Sequence, residues 1–354
     1  MRAYGSAAVL FPLFFSVALC TQAQGQGGQV TRQPTERTKG LSEVHQRAWY
    51  PQVFVPGNLA PYFDKGFVIT RELETAGPDV TNVTLWGING TRFVEARIWF
   101  DGAVRVWISH AALTRNGQIL ASGGAVTSSG QRARFIAKTD LRGNVTDTIR
   151  TDDFVPVMIC SAPDGTVWSF GRELVDGRER PTTHMLRQYS FQKGLVASYL
   201  PRSSFDTKVS PVVHRGAQGS YLDCSANKVV VYVARTNEYI ELNYSDHMIR
   251  RWTVDAAHFR GFWMQGLAVT DSGAVYASAM QDGNWAGLYE LILDGPETGR
   301  WELVPGTFQF DEGEGRMRSS YGMLHGTHGD SLVLGSTPQG LAWVRPVMSG
   351  RHSQ

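Results

Sequence analysis

Short runs in which apolar and polar residues alternate with a period of two fill most of the chain, and clusters of Gly, Asn, Asp and Ser separate them. That pattern predicts β-strands joined by tight turns. The clearest instance is ICSAPDGTVWSFG at 159–171, an apolar strand, an Asp-Gly turn and a second apolar strand. Gly165 supplies a positive φ without a Cβ clash, and Asp164 helps to initiate the turn. The template recurs at 111–123 (AALTRNGQILASG, turn at Asn116-Gly117) and at 267–279 (LAVTDSGAVYASA, Ser272-Gly273). Weaker copies lie at 222–233 (LDCSANKVVVYV, Asn227-Lys228) and 324–335 (LHGTHGDSLVLG, Gly329-Asp330). A spacing of about fifty residues is that of four-stranded propeller blades.

If each copy is the inner half of a blade, two outer strands must follow it. Segments 134–149, 185–200, 238–254 and 287–304 each read as an alternating strand, a polar turn and another strand. The fifth copy is cut short after GLAWVRP, while RFVEARIWFDGAVRVWI (92–108) stands alone before the first copy. The expectation is that this N-terminal segment completes the C-terminal blade, so that no sheet edge is left open. Five inner hairpins are countable in the sequence, and a sixth, degenerate blade could occupy 53–91. The expected fold is therefore all-β: a β-propeller of four-stranded blades over residues 53–346, five to six blades, closed by an N-terminal strand.

Composition fits one closed ring, with 38 glycines, 11% aromatic residues and no long amphipathic helical run. Trp168, Tyr276 and Trp252 are expected to pack within blades. The first residues differ in kind. Arg2 precedes the apolar run AAVLFPLFFSVALC, too short for a stable membrane anchor, and small residues follow it. This predicts a signal peptide over 1–23, cleaved after Ala23, and a secreted or periplasmic protein. Cys20 raises a lipoprotein reading, which the bulky Leu19 before it disfavours. Residues 24–52 have the composition of a flexible tether, and 347–354 that of a C-terminal tail.

Charge changes the picture little. Lys and Arg number 34 against 32 Asp and Glu, a net charge of +2 without a dense basic block, so nucleic acid is not an expected partner. The basic residues are mostly Arg, which suits bidentate contact with carboxylates or sugar acids, or else a salt-bridged surface. No P-loop, GxSxG elbow, HExxH or EF-hand loop occurs. His325, His328 and Asp330 are the nearest approach to a metal motif, and 311–315 (DEGEG) lacks alternating oxygen ligands. No metal or cofactor is expected. Sequons begin at Asn82, Asn89, Asn144 and Asn243.

The APDGTVW hairpin and its copies resemble the inner strands of the NHL-repeat, streptogramin-lyase and gluconolactonase group of propellers, over most of 93–346. The whole pattern also resembles uncharacterised secreted bacterial propellers. For the lactonases and lyases, the resemblance implies carboxylates, Asn or His converging on a central metal or substrate. The inner strands here offer Ala, Ser, Thr and aliphatics, with Asp223 as an isolated acid, so no catalytic residue carries over. Two functions stand: a non-catalytic propeller binding a glycan, peptide or protein at one mouth of the ring, and a lactonase- or lyase-like enzyme using His and Arg there.

The connections leading inward from each outer strand form one mouth of such a ring. They concentrate His110, His214, Arg215, His258, Arg260, Trp263, Arg318 and Tyr321, cations and aromatics suited to a carboxylated or sugar ligand. Alternatively, Trp263 and Tyr321 plug the ring and the arginines pair with loop acids. Cys160 and Cys224 fall on first strands of consecutive blades at opposite parity, which permits either a disulfide or two separate buried thiols.

Overall fold

A computed structural model describes residues 41–49, 62–64, 67–72, 74–87, 91–205, 208, 210–212, 219–255, 263–281, 284–304, 309–311, 316–318, 321–336 and 340–346. The expected signal peptide and C-terminal tail lie outside these residues. Apart from one 3-10 turn, Arg202–Ser204, the described elements are all strands.

In chain order, β1 (Leu41–Trp49) comes first. β2 (Tyr62–Asp64), β3 (Phe67–Arg71), β4 (Glu74–Thr75), β5 (Val83–Trp86) and β6 (Arg92–Ala96) follow, all but β4 forming one antiparallel meander. The next meander is β7 (Ala103–Leu113), β8 (Ile119–Thr127), β9 (Arg132–Thr139) and β10 (Val145–Arg150), with β4 added beside β7. Then come β11 (Phe154–Ser161), β12 (Val167–Val175), the short β13 (Arg178–Glu179), β14 (His184–Ser190) and β15 (Gly194–Pro201). Two more meanders are β16 (Ser220–Cys224), β17 (Lys228–Val233), β18 (Glu238–Asn243) and β19 (Ile249–Asp255), and β20 (Trp263–Val269), β21 (Val275–Gln281), β22 (Asn284–Leu293) and β23 (Thr298–Leu303). These two are fused: β19 pairs in parallel with β23 through Thr253, Val254 and Asp255, giving an eight-stranded sheet. After the β24 (Gln309–Asp311) and β25 (Arg316–Arg318) ribbon, β26 (Tyr321–His328), β27 (Ser331–Ser336) and β28 (Gly340–Pro346) pair in sequence, and β1 lies antiparallel to β28.

The first strands of successive meanders are neighbours in a closed order: β2 beside β7, then β11, β16, β20 and β26, and β26 again beside β2. That cyclic order is a propeller's.

The repeated hairpins all pair, and their turns share one construction. Thr114, Ala162 and Thr270 each donate a backbone N–H to the carbonyl four residues on, at 2.9 Å, and accept one from the glycine three residues on, at 2.9 to 3.0 Å. The glycines, Gly117, Gly165 and Gly273, have φ of 78°, 82° and 88°. Only the glycine needs the left-handed region, so Asn116, Asp164 or Ser272 can stand before it without strain. At 222–233 the turn lies one residue earlier than the sequence suggested. Lys228 already belongs to β17, and Ser225 donates its N–H to the Lys228 carbonyl at 2.9 Å.

Two expectations are corrected. The segment 92–108 does not close the ring; it splits at Asp101-Gly102, where Gly102 takes φ 75°, into the outermost strand β6 and the innermost strand β7. Closure comes from β1, so the segment expected to be a tether through residue 52 contains a paired strand at 41–49. Strands β2, β3, β5 and β6, which overlap the stretch expected to hide a further blade, form a four-stranded sheet of their own.

The core lies between the faces of adjacent sheets. Trp168, Phe170 and Met185 from one sheet pack with Val229, Val231, Val233 and Ile240 from the next. Trp168 is 0% exposed, and Trp252 and Tyr276 are buried too, as their expected packing role requires. Burying a ring of this size contributes several kcal/mol, on the order of 25 cal/mol per Å² of apolar surface, which is why bulky aromatics dominate sheet-on-sheet contacts.

Candidate functional site

The innermost strands are tied to one another at their hairpin ends by polar side chains and one covalent bond. Asp64, the last residue of β2, accepts the Leu113 N–H at 2.7 Å. His110 on β7 faces β11, its Nδ1 3.5 Å from the Ile159 N–H. Cys160 of β11 and Cys224 of β16 form a disulfide, with Cα atoms 5.6 Å apart. Asp223 accepts the Cys224 N–H at 2.8 Å and the Val269 N–H of β20 at 2.9 Å. Thr327 of β26 donates its hydroxyl to the Val269 carbonyl at 3.0 Å, and the Asp330 carboxylate takes the Ser272 N–H at 2.8 Å. On the side of an innermost strand that faces away from its hairpin partner, backbone groups have no ladder partner, so these side chains satisfy N–H donors and, at Val269, a carbonyl acceptor that would otherwise be left open.

This girdle surrounds a cavity of about 450 Å³. Each innermost hairpin contributes: Asp64, Arg115, Pro163, Asp223 with Cys224, Asp271, and Thr327 with Gly329. Three carboxylates thus face one guanidinium. Asp271 and Arg115 are exposed at the rim. Near Asp223 the Tyr244 phenol lies tilted against Trp168, with ring centroids 6.0 Å apart, and its hydroxyl has no hydrogen-bond partner. Burial, and then the charges of Asp223 and Asp164, push its pKa well above that of an ordinary tyrosine, so it stays neutral.

Of the residues expected to form a site, His110 alone has a described side chain, and it serves the girdle. Trp263 and Tyr321 are the first residues of β20 and β26, at the strand ends away from the hairpin turns, and Arg318 ends β25. The side chains of those three, and all of His214, Arg215, His258 and Arg260, lie outside the described residues. Of the histidine-rich stretch, Asp330 is engaged with the neighbouring turn; the His325 and His328 side chains also lie outside. Among the described residues no group of His, Cys, Asp and Glu is arranged to hold a metal ion. Sequence reasoning passed over Asp64 and Asp271. Their shared signal, with Asp223, is an acid within two residues of the end of an innermost strand, in YFDKG, LDCS and VTDSG.

No protein-family profile matches the chain. No curated protein matches it either. Among solved structures, a luciferin-regenerating enzyme aligns over 87% of this chain and 95% of its own, at 11% identity and a TM-score of 0.45. A gluconolactonase from Xanthomonas campestris aligns over 85% and 87%, at 13% identity and 0.40. A protein of unknown function from Bacteroides caccae aligns over 70% and 82%, at 14% identity and 0.42. The similar structures thus include members of the gluconolactonase group that the hairpin motif resembles. At such identities and TM-scores they carry no activity over to this chain.

Proposed function

We propose that the chain is a secreted, non-catalytic propeller of six four-stranded blades that holds a ligand bearing a cationic amine, an amino sugar or a basic peptide end, in the mouth at its hairpin turns. The observation that carries this reading is the 450 Å³ cavity to which every innermost hairpin contributes, with Asp64, Asp223 and Asp271 set against Arg115. A concave site with a few convergent polar groups on rigid elements is the usual form of a small-ligand site. Both Asp223 oxygens and one of Asp64 are engaged by backbone N–H groups, so these carboxylates serve as fixed negative charge. Asp271 is the rim carboxylate open to a partner. The expected signal peptide and the disulfide both support an oxidising, extracytoplasmic setting.

Glucosamine, glucose and gluconate present one polyol scaffold with positive, neutral and negative charge. Titration calorimetry at low salt should rank their affinities in that order, and Asp271→Asn should weaken glucosamine binding by about five- to tenfold while leaving glucose unchanged. Preferential binding of gluconate would overturn the reading. So would hydrolysis of gluconolactone above the uncatalysed rate, which would make the protein a lactonase.

A further inference from the structure

On the perimeter, away from the hairpin mouth, β6 forms the outer edge of its sheet, and the β9–β10 turn is pressed against it. Contact there is close: a Cβ added at Gly143 would lie 2.2 Å from the Glu95 carbonyl oxygen. The turn is also fixed from within. The Asp140 carboxylate accepts the backbone N–H groups of Arg142 and Asn144, each at 2.8 Å, and the Asn144 side-chain amide at 2.9 Å. Between edge and turn runs a groove of about 400 Å³, lined by Arg92, Phe93, Glu95, Arg97, Arg142 and Asn144 with the backbone around them.

The charges in this groove do not cancel. Glu95 is engaged by Arg92 at 2.5 Å, and Arg92 also lies over the Trp86 ring, 4.9 Å from its centroid. Asp140 offsets Arg142 in part. Arg97 is exposed and has no acidic partner among the described residues. Three guanidinium groups therefore meet a single carboxylate in the lining. Phe93 is 58% exposed, far more than a buried ring would be, yet it is held in a T-shaped contact with Phe67, centroids 5.6 Å apart at 88°. A flat apolar ring held still beside unpaired guanidinium groups meets the two demands of an acidic sugar: an apolar face to cover and an anion to hold by paired hydrogen bonds.

We propose that this groove binds an anionic saccharide, with Arg97 and Arg142 taking the carboxylate or sulfate and Phe93 stacking on the sugar ring. It is independent of the hairpin mouth and of the ligand proposed there.

The test uses the full chain made without N-glycosylation, because Asn144 lines the groove and begins a sequon. Trigalacturonate and a sulfated heparin hexasaccharide separate the two anion sources; maltohexaose and hexaglutamate are the neutral-sugar and acidic-peptide comparisons. At least one anionic saccharide should bind at least about tenfold more tightly than either comparison, and more weakly as salt rises. The paired substitution Arg97→Gln, Arg142→Gln should weaken it about tenfold, and Phe93→Ser by several fold, with melting temperatures unchanged. If a variant folds poorly, backbone chemical shifts of the unaltered protein decide instead: saccharide should perturb 92–97 and 141–144. Asp271→Asn should leave this binding intact, which separates failure here from failure at the mouth. Absence of binding by both anionic saccharides, equal binding of maltohexaose or hexaglutamate, or shifts centred elsewhere would overturn the proposal.

Discussion

Gly143 and Gly130 occupy the same place in the same kind of turn, with φ of 88° and 80°, yet their surroundings differ. Nothing lies within 4 Å of a Cβ added at Gly130, whereas one at Gly143 meets the Glu95 backbone. Gly130→Ala should therefore cost only the left-handed backbone penalty, about 1 kcal/mol. Gly143→Ala must also move main chain and should cost about 3 kcal/mol or more, read as the difference between the two variants in urea unfolding. Equal costs would show that the turn is not pressed on β6. The same turn carries an acid sensitivity. The side-chain hydrogen bond from Asn144, with two backbone N–H bonds, holds the Asp140 pKa below 3.8. Since the folded value is depressed, the ordering of the turn is present above the unfolded pKa and is lost only as pH falls through the folded one. Amide shifts of Arg142 and Asn144 should hold steady from pH 7 to 5 and change with a midpoint below 3.8; a midpoint above it would contradict the geometry.

Hairpins were legible in the sequence because each turn requires a glycine, or a similarly permissive residue, at one position, and because alternation follows from having one sheet face against the next. The closing strand was not. LSEVHQRAW has little alternation, and its place beside β28 rests on backbone pairing, which leaves no signature in side-chain type. Its role went instead to 92–108, whose apolar residues belong to two sheets separated by Gly102. Parity placed Cys160 and Cys224 within possible reach but could not say whether they point together, because that depends on how two sheets twist past one another. Their bond closes a loop with a sequence separation of 64 residues. Replacing both with Ser should lower unfolding free energy by about 4 kcal/mol on the loop-closure account, and dithiothreitol should have a similar effect on the unaltered protein. Denaturation midpoints unchanged by reduction would mean the thiols are not joined.

At the scale of the whole molecule, the candidate mouth was the least legible feature. Its carboxylates come from hairpins tens to hundreds of residues apart, and only the cyclic order of innermost strands brings Asp64, Asp223 and Asp271 around one cavity. Ring integrity should depend on β1. A chain beginning at Tyr50 should lose its cooperative thermal transition relative to one beginning at Leu41, because β28 then presents an unpaired edge; matching melts would refute closure by β1. The pairing of Leu41 with Pro346 has a consequence for connectivity. The two ends of the ring meet across a single strand pair, so a turn of a few residues could splice Pro346 to Leu41, and new termini could be cut at the exposed Ser128-Ser129 tip between β8 and β9. Such a circular permutant would hold every sheet in place while beginning and ending in a different blade: for the folded ring, which strand the ribosome makes first is an accident of where the gene was opened.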